Sequence, residues 1–332
     1  MTAEKDCTLR AEVGGYFELD LPDYGDLYDD VIKFQSARAA VRAVLESNEI
    51  THVMVPAYIC DSIIKSATDA GVAVEIYELD CNLYPQNLPE VLPNQSVMIY
   101  VNYFGLCQKN IIKLLREIPS NQLIIDNSHA LFSCSHDVLA TIYSPRKFVG
   151  LPDGGMLKAS PHLKVSRPRI EDTGSLNRIN YLLTRMAYSA REGYEGFNQA
   201  RNSLSDNSPL AMSRLTQRLM KSINWRQVIQ SRRDNYKVMA NIMDEVNDIQ
   251  WVIEDGDVPL CYPFTMKGRN MGEMRNKLAL QNIFTATYWP DALPRVKKTS
   301  IEYTLINNTL FLPIDQRLTA YNVEKIAESV LD

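Results

Sequence analysis

The chain has 332 residues, of which 45% are hydrophobic and 23% charged, a balance typical of a globular protein with one large domain and a smaller one. Its formal net charge of −5 gives no support for nucleic-acid binding, which needs lysine and arginine clustered on one face. Six single cysteines and four histidines show neither a CxxC nor an HExxH pattern, so we expect reduced thiols and no metal site. The polar opening and the lack of a long apolar run predict a cytoplasmic protein.

Short β-rich runs alternate with helical patterns through the first half of the chain. The runs contain Val, Ile and Leu with little polar alternation, which is typical of strands covered on both faces. They lie at 52–56, 73–79, 96–101, 122–126 and 138–143, and the helical patterns lie at 36–47, 60–70 and 109–117. This alternation predicts an α/β fold with a mostly parallel sheet, in which ligands gather at the carboxyl ends of the strands.

A different pattern begins at about residue 160. Residues 175–203 are predicted to be largely helical, with an apolar stripe that suits either a partner-facing helix or a plain surface helix. A second helical region, 214–246, leads to short strands at 260–265 and 309–312 and a closing helix at 321–331. We therefore expect a large domain at 1–240 and a smaller α+β domain at 241–332.

Asp126 ends the predicted strand QLIID and is followed by His129. A carboxylate at this edge of a sheet can form an ion pair with a protonated pyridine nitrogen, as in enzymes that use pyridoxal 5′-phosphate (PLP) as an electron sink. Aspartate also caps helices at such positions, and this residue alone does not decide between the two roles.

Lys147 lies in the segment SPRKFVGLPDGG, which follows the next predicted strand. A lysine in a loop at the end of a buried strand can be desolvated, and it then loses its proton more readily. A Schiff base requires that neutral amine. Most loop lysines are simply solvated charges, but Lys147 follows Asp126 by one strand at the same predicted sheet edge.

Residues 34–40, FQSARAA, open the first predicted helix. Free backbone N–H groups at a helix start bind phosphate, assisted by hydroxyl and guanidinium side chains. Ser36, Ala37 and Arg38 are therefore a candidate phosphate site, although Ser36 would serve equally well as an ordinary helix cap.

These segments, in this order, resemble the DegT/DnrJ/EryC1/StrS family of sugar aminotransferases, which have the fold-type I PLP architecture. QSARAA is similar to the family's S-G-T-x-A-L loop, VMVPAYICDS to V-x-x-P-x-x-T-[FW], and VNYFG to V-H-x-Y-G. IIDNSHALF is similar to D-x-A-[HQ]-A, and SPRKFVGLPDGG to S-F-H-x-x-K-x-L-T-T-G-E-G-G. The resemblance runs through nearly the whole chain.

The resemblance implies a role for each matched residue. Lys147 would carry PLP as a Schiff base, Asp126 would hold the pyridine nitrogen and His129 would lie near the ring hydroxyl. An asparagine from interface helices at about 175–240 would reach the cofactor phosphate of a partner subunit, with Asn202 and Asn207 as candidates. The phosphate ligands within the chain would be Ser36, Ala37 and Arg38, and Ser144 would be a further cofactor-binding residue.

Three departures from the family pattern mark a divergent branch. Cys60 stands where the family has the aromatic ring that stacks on the cofactor, so a displaced aromatic is expected, with Tyr58 first and Tyr103 next. The histidine of S-F-H is absent, and two residues are missing between Ser144 and Lys147. T-T-G-E-G-G is replaced by Gly-Leu-Pro-Asp-Gly-Gly.

By resemblance, the expected activity is transfer of an amino group from an amino acid, by family habit glutamate, to a nucleotide-linked keto sugar for surface polysaccharide or a glycosylated metabolite. A homodimer with shared active sites is the expected assembly. One alternative is another PLP reaction on a non-sugar substrate. A second is a PLP-fold protein that has lost catalysis and acts as a binding module, which the retention of Lys147 and Asp126 opposes.

Overall fold

The computed structural model describes residues 15–47 and 50–332, so residues 1–14 of the predicted large domain lie outside the described part. Its centre is a seven-stranded sheet. The strands are β1 (Ile32–Phe34), β2 (His52–Pro56), β3 (Ala73–Tyr77), β4 (Ser96–Val101), β5 (Leu123–Asn127), β6 (Ala140–Tyr143) and β7 (Gly155–Ala159).

The spatial order of these strands is β1-β7-β6-β5-β4-β2-β3. The adjacent strands β6, β5, β4, β2 and β3 run parallel to one another, whereas β7 runs antiparallel to both β1 and β6. The prediction of a mostly parallel sheet is therefore confirmed. The carboxyl ends of β4, β5 and β6 meet at one edge, which is where such sheets bind ligands.

Eleven helices are present in the described residues, and most of the predicted ones recur within two residues of their expected ends. They are α1 (Ala37–Glu46), α2 (Asp61–Asp69), α3 (Gln108–Glu117), α4 (Ser175–Arg178), α5 (Asn180–Ala187), α6 (Tyr194–Asn202), α7 (Arg214–Lys221), α8 (Trp225–Met243), α9 (Met271–Leu280), α10 (Ile301–Asn307) and α11 (Ala320–Leu331). Two further strands, β8 (Tyr262–Thr265) and β9 (Thr309–Leu312), form an antiparallel pair.

The two long helical regions predicted after residue 175 are each divided. The region 214–246 breaks before Asn224, whose side chain accepts a hydrogen bond from the Gln227 amide over 3.2 Å and so begins α8. Asparagine at a helix start satisfies a backbone N–H that has no partner within the helix. The region 175–203 separates into α4, α5 and α6.

Two hydrophobic cores are present in the described residues. The larger surrounds the seven-stranded sheet. The smaller joins Tyr236 and Met239 of α8 to Tyr262 of β8 and Val323 of α11, so α8 contributes to the second core before residue 240. The exact domain boundary stays a prediction. No helix within 15–47 or 50–332 is both long enough and apolar enough to cross a membrane.

Candidate active site

Asp126 lies on β5, where it pairs with Val101 of β4 and Ile142 of β6. The side chain is 3% exposed, and its Oδ1 accepts a hydrogen bond from the Ser128 amide over 2.8 Å. Its Oδ2 forms no hydrogen bond with any described residue. Turns follow β5, so Asp126 does not cap a helix.

Lys147 lies in the short 3₁₀ turn Pro145–Lys147, directly after β6 and beside β5. The backbone beyond this turn is anchored from the C-terminal half of the chain. The Phe148 carbonyl oxygen accepts hydrogen bonds from Arg232 Nη2 over 3.1 Å and from Gln316 Nε2 over 3.0 Å. These contacts fix the position from which the lysine side chain extends.

Arg232 is 2% exposed, and burial lowers its pKa to about 10. Its Nη1 also donates to the Leu260 carbonyl oxygen over 3.1 Å, so it joins the lysine loop to the segment before β8. An arginine still carries its charge at neutral pH under these conditions. The residue therefore acts as a fixed internal crosslink between the two halves of the chain.

The structure brings Lys147 and Asp126 together in an environment that disfavours both charges. Burial lowers the pKa of Lys147, whereas the negative charge of Asp126 raises it. Burial raises the pKa of the Asp126 carboxyl, whereas the Ser128 hydrogen bonds and Lys147 lower it. The Lys147 side chain is nevertheless exposed to solvent. Water thus reaches this lysine although protein surrounds part of it. We call its surroundings, between the start of α1, the end of β5 and the loop after β6, the Lys147 cleft.

The predicted phosphate loop is held against the start of β7. Ser36 caps α1 by accepting a hydrogen bond from the Ala39 amide over 3.2 Å. The Gly154 amide donates to the Gln35 carbonyl oxygen over 2.7 Å, and Gly155 packs directly on the backbone of Ser36. The two glycines therefore allow close contact between two backbone segments.

A group of arginines surrounds this cleft. Arg38 is partly buried, and its Nη1 donates to the Leu204 carbonyl oxygen over 3.2 Å. Arg146 precedes Lys147 and donates from Nε to the Leu151 carbonyl oxygen over 3.3 Å. Burial lowers the pKa of Lys147, and the positive charges of Arg146 and Arg201 lower it further. None of the three arginines forms an ion pair with a described carboxylate. The cleft can therefore accept an anionic group.

Four residues from the segments around Lys147 keep accessible surface. Cys60 is partly exposed, and its Sγ accepts a hydrogen bond from the Ser62 hydroxyl over 3.0 Å. Ala37, Ser128 and Ser144 are also partly exposed. The cleft is thus bounded by the start of α1, the end of β5 and the loop after β6.

Tyr58 and Tyr103 are enclosed by protein, and the expected stacking of one of them on the cofactor stays a prediction. Both side chains have no exposed surface. Their rings stack on each other with centroids 5.6 Å apart, and the Tyr103 hydroxyl donates to the Tyr58 carbonyl oxygen over 2.9 Å. A ring enclosed in this way offers no face to a ligand.

His129 is also fully buried. Its ring lies parallel to that of Trp289, with centroids 4.5 Å apart and planes 5° apart, and Phe104 stacks on it at 5.6 Å. Neither ring nitrogen has a hydrogen-bond partner among the described residues. Burial lowers the pKa of His129 well below its usual value, and Lys147 lowers it further, so the imidazole is neutral.

The two asparagine candidates have different surroundings. Asn207 is 1% exposed, accepts a hydrogen bond from Arg42 Nη1 over 2.9 Å and donates to the Ser66 hydroxyl over 3.2 Å. Both ends of its amide are bonded within the chain, and the role of Asn207 at a partner subunit's phosphate stays a prediction. Asn202 is exposed at the end of α6 and stays a candidate.

Sequence reasoning missed Arg146, Arg201, Tyr288 and Trp289. Arg146 precedes Lys147 in the chain, so its proximity could have been found. Tyr288 and Trp289 gave no local signal, because they follow α9, far from the other site residues in sequence. The Lys147 Nζ lies 5.4 Å from the Tyr288 ring centroid.

Comparison with solved structures identifies proteins of the same architecture. A protein named as a sugar aminotransferase from Streptococcus pneumoniae has a TM-score of 0.59 and 15% identity, over 90% of this chain and 85% of that one. A DegT DnrJ EryC1 StrS aminotransferase from Brucella abortus has a TM-score of 0.57 and 14% identity, over 91% and 85%. PseC of Helicobacter pylori, an aminotransferase involved in pseudoaminic acid biosynthesis, has a TM-score of 0.55 and 14% identity, over 91% and 85%.

No protein-family model and no curated protein sequence matches the chain. The structural neighbours confirm the predicted fold, which is that of fold-type I PLP-dependent aminotransferases, and they include the family that the sequence resembles. The Streptococcus pneumoniae protein is also solved in PLP and PMP forms. At identities this low, the likeness establishes architecture.

Proposed function

We propose that this chain is a PLP-dependent aminotransferase that transfers an amino group from an amino acid to a keto sugar. The observation that carries the proposal is the position of Lys147 and Asp126 at the carboxyl ends of adjacent strands, close enough for each charge to shift the pKa of the other. Burial lowers the pKa of Lys147, so its amine becomes neutral more readily than that of an ordinary lysine. A neutral amine is the form that condenses with an aldehyde.

The residues of the cleft fit a phosphorylated pyridine aldehyde. The nearly buried Asp126 has one carboxylate oxygen without a hydrogen bond, and a protonated ring nitrogen would supply its missing partner and charge. The start of α1 and the unpaired arginines would hold the phosphate. Ser128, which is partly exposed, would lie against the ring.

PLP, when bound, supplies a ring that takes up electron density from the carbon next to a substrate nitrogen. Lys147 would anchor the cofactor and, once an amino substrate displaces it, its neutral amine would move a proton to and from that carbon. Asp126 would keep the ring nitrogen protonated. The loop after β6, which Arg232 fixes through the Phe148 carbonyl oxygen, would keep the Lys147 amine within reach of that carbon.

The finer details of the substrate rest on the resemblance and on the names of the structural neighbours. We propose glutamate as the amino donor and a nucleotide-linked keto sugar as the acceptor. With Arg38 at the cofactor phosphate, the charges of Arg146 and Arg201 would be left for the acceptor, and they support an anionic group such as a diphosphate. A role in surface polysaccharide or glycosylated-metabolite synthesis, and the cytoplasmic location, stay predictions.

We also propose a homodimer, with the surface around α4 and α5 as its interface. Leu176 is 70% exposed, Met186 is 80% exposed and Tyr188 is 75% exposed. Apolar side chains exposed together commonly mark a protein interface. Analytical ultracentrifugation of the wild type and of Met186→Glu tests this: we expect a dimer that the substitution weakens. A wild-type monomer at micromolar concentration contradicts it.

The test of the enzyme assignment is an absorption spectrum of the purified protein with PLP, followed by borohydride reduction and mass mapping. We expect a visible band and a phosphopyridoxyl adduct on Lys147, both lost in Lys147→Ala. Glutamate alone should convert the cofactor to pyridoxamine phosphate. If the protein binds PLP without this conversion, it is a binding module. If the adducts are instead spread over exposed lysines such as Lys109, the chain has no PLP site.

A further inference from the structure

Tyr288 presents its ring to the amine of Lys147. The Nζ atom lies 5.4 Å from the ring centroid, within the range in which an ammonium group interacts with an aromatic face. Tyr288 is partly exposed, whereas Tyr58 and Tyr103 have no exposed surface and Trp289 has 8%. Among the described aromatic rings around His129, Tyr288 is therefore the one that both borders Lys147 and keeps substantial accessible surface.

The ring is held by aromatic neighbours on its other sides. Its centroid is 4.6 Å from that of His129, 4.8 Å from Phe311 and 5.8 Å from Phe104. Rings packed at these distances stabilise one another beyond simple burial. The position of Tyr288 is therefore fixed by the core and does not depend on a ligand.

The backbone next to Tyr288 is strained. Trp289 has φ 49° and ψ 53°, a left-handed conformation that is unfavourable for a bulky residue. Phe104, on the other face of His129, also has a positive φ of 57°. Strain of this kind is unfavourable and concentrates at functional sites. The left-handed turn directs two consecutive aromatic rings, those of Tyr288 and Trp289, toward His129.

The hydroxyl group of Tyr288 lies in surroundings that disfavour its ionised form. Burial raises the pKa of this hydroxyl well above its usual value, and the neighbouring Cys261, which is itself 3% exposed, raises it further. The part of Tyr288 that faces the Lys147 amine is its ring.

We propose that the ring of Tyr288, and not its hydroxyl, forms the aromatic contact for the reacting end of the cofactor, a contact that Cys60, Tyr58 and Tyr103 do not supply. This inference rests on the proposed function for the identity of the ligand. The geometry itself, a ring facing Nζ of Lys147, can be tested without a cofactor.

The first experiment measures that geometry in the cofactor-free protein. Lysines are converted to ¹³C-dimethyllysine, and the Lys147 signal is assigned by its loss in Lys147→Arg. We expect the ring current of residue 288 to shift this signal in the wild type and in Tyr288→Phe, and the shift to vanish in Tyr288→Leu. An unshifted signal in the wild type overturns the inference whether or not the protein binds PLP.

The second experiment titrates the cofactor-free variants with PLP. Loss of the ring in Tyr288→Leu should weaken binding roughly 10-fold, while Tyr288→Phe should stay within about 2-fold of the wild type. The induced circular dichroism of the bound cofactor should change in Tyr288→Leu only. Equal affinity and equal dichroism for all three proteins overturn the inference.

Trp251→Leu is the matched control. Trp251 belongs to the same aromatic cluster through Phe104, with centroids 5.8 Å apart, but forms no ring contact with Lys147 or His129. Its removal should lower the melting temperature without changing PLP affinity or the Lys147 signal. If Trp251→Leu weakens PLP binding as much as Tyr288→Leu, the effect is one of packing and the inference is wrong. If no protein binds PLP while the ring-current shift is present, the proposed function fails and the geometry stands.

Discussion

Gly155 and Ser36 are in direct backbone contact. A Cβ atom at position 155 would lie 2.2 Å from the Ser36 carbonyl carbon and 2.3 Å from the Ala37 nitrogen. This contact lets the start of β7 support the loop that begins α1. The position of the predicted phosphate loop therefore depends on the absence of a side chain at residue 155.

Gly155→Ala should destabilise the protein strongly, because the added methyl group collides with backbone rather than with a side chain that could move. We expect a loss of about 3 kcal/mol or more in the free energy of unfolding, measured by urea denaturation. The control is Gly272→Ala, where the new Cβ meets a side-chain oxygen of Asn270 at 3.2 Å. The control should change stability by less than about 1 kcal/mol, and equal effects in both variants would refute the contact.

The amine of Lys147 should become neutral at a lower pH than the other lysines. Burial lowers its pKa, so the uncharged form appears earlier as the pH rises. Asp126 raises that pKa, and Asp126→Asn should therefore move the transition to still lower pH. The measurement is the pH dependence of lysine acetylation in the cofactor-free protein, followed by peptide mass spectrometry. A Lys147 profile that coincides with those of surface lysines would contradict the proposed environment.

Arg38→Gln should weaken PLP binding more than pyridoxal binding, because pyridoxal lacks the phosphate. A hydrogen bond to a charged group contributes about 1.5–3 kcal/mol, so we expect a roughly 10- to 100-fold loss for PLP. Arg42→Gln is the matched control on the same helix, since Arg42 bonds to Glu46 and Asn207 instead. Equal losses for PLP and pyridoxal in Arg38→Gln would show that Arg38 does not hold the phosphate.

Asn207→Ala should destabilise the fold by about 1–3 kcal/mol, since it removes a buried amide that accepts a hydrogen bond from Arg42 and donates one to Ser66. Asn202→Ala should leave stability unchanged, because Asn202 is exposed. If Asn202 reaches a partner's phosphate, its removal should lower PLP affinity at concentrations where the protein is dimeric. Thermal melting and PLP titration separate the two roles, and an unaltered melting point for Asn207→Ala would refute the first.

The sequence was sufficient to predict the sheet and the residues at its carboxyl edge. Strands buried on both faces appear as continuous apolar runs, and residues that follow adjacent strands must lie near each other. For this reason the neighbourhood of Asp126 and Lys147 could be argued without coordinates. Strand β1 was missed because three residues carry too little pattern.

The aromatic contacts could not be predicted in the same way. Tyr58 follows β2 as a cofactor ligand would, yet its surroundings are set by Tyr103 and Trp289, whose rings lie 5.6 Å and 4.8 Å away. Packing between segments that are distant in the chain leaves no periodic signal. The hydrogen bonds of Asn207 were not foreseen for the same reason, because its partners lie on α1 and α2.

The cleft is assembled from distant parts of the chain, since Ser36, Asp126, Lys147, Arg201 and Tyr288 come from separate elements. An unfolded chain cannot present them together, so a ligand of this cleft binds only the folded form. Free ligand at 100 times its dissociation constant then adds about 2.7 kcal/mol to the free energy of unfolding. A protein saturated with its ligand would therefore unfold less often than the same chain without it.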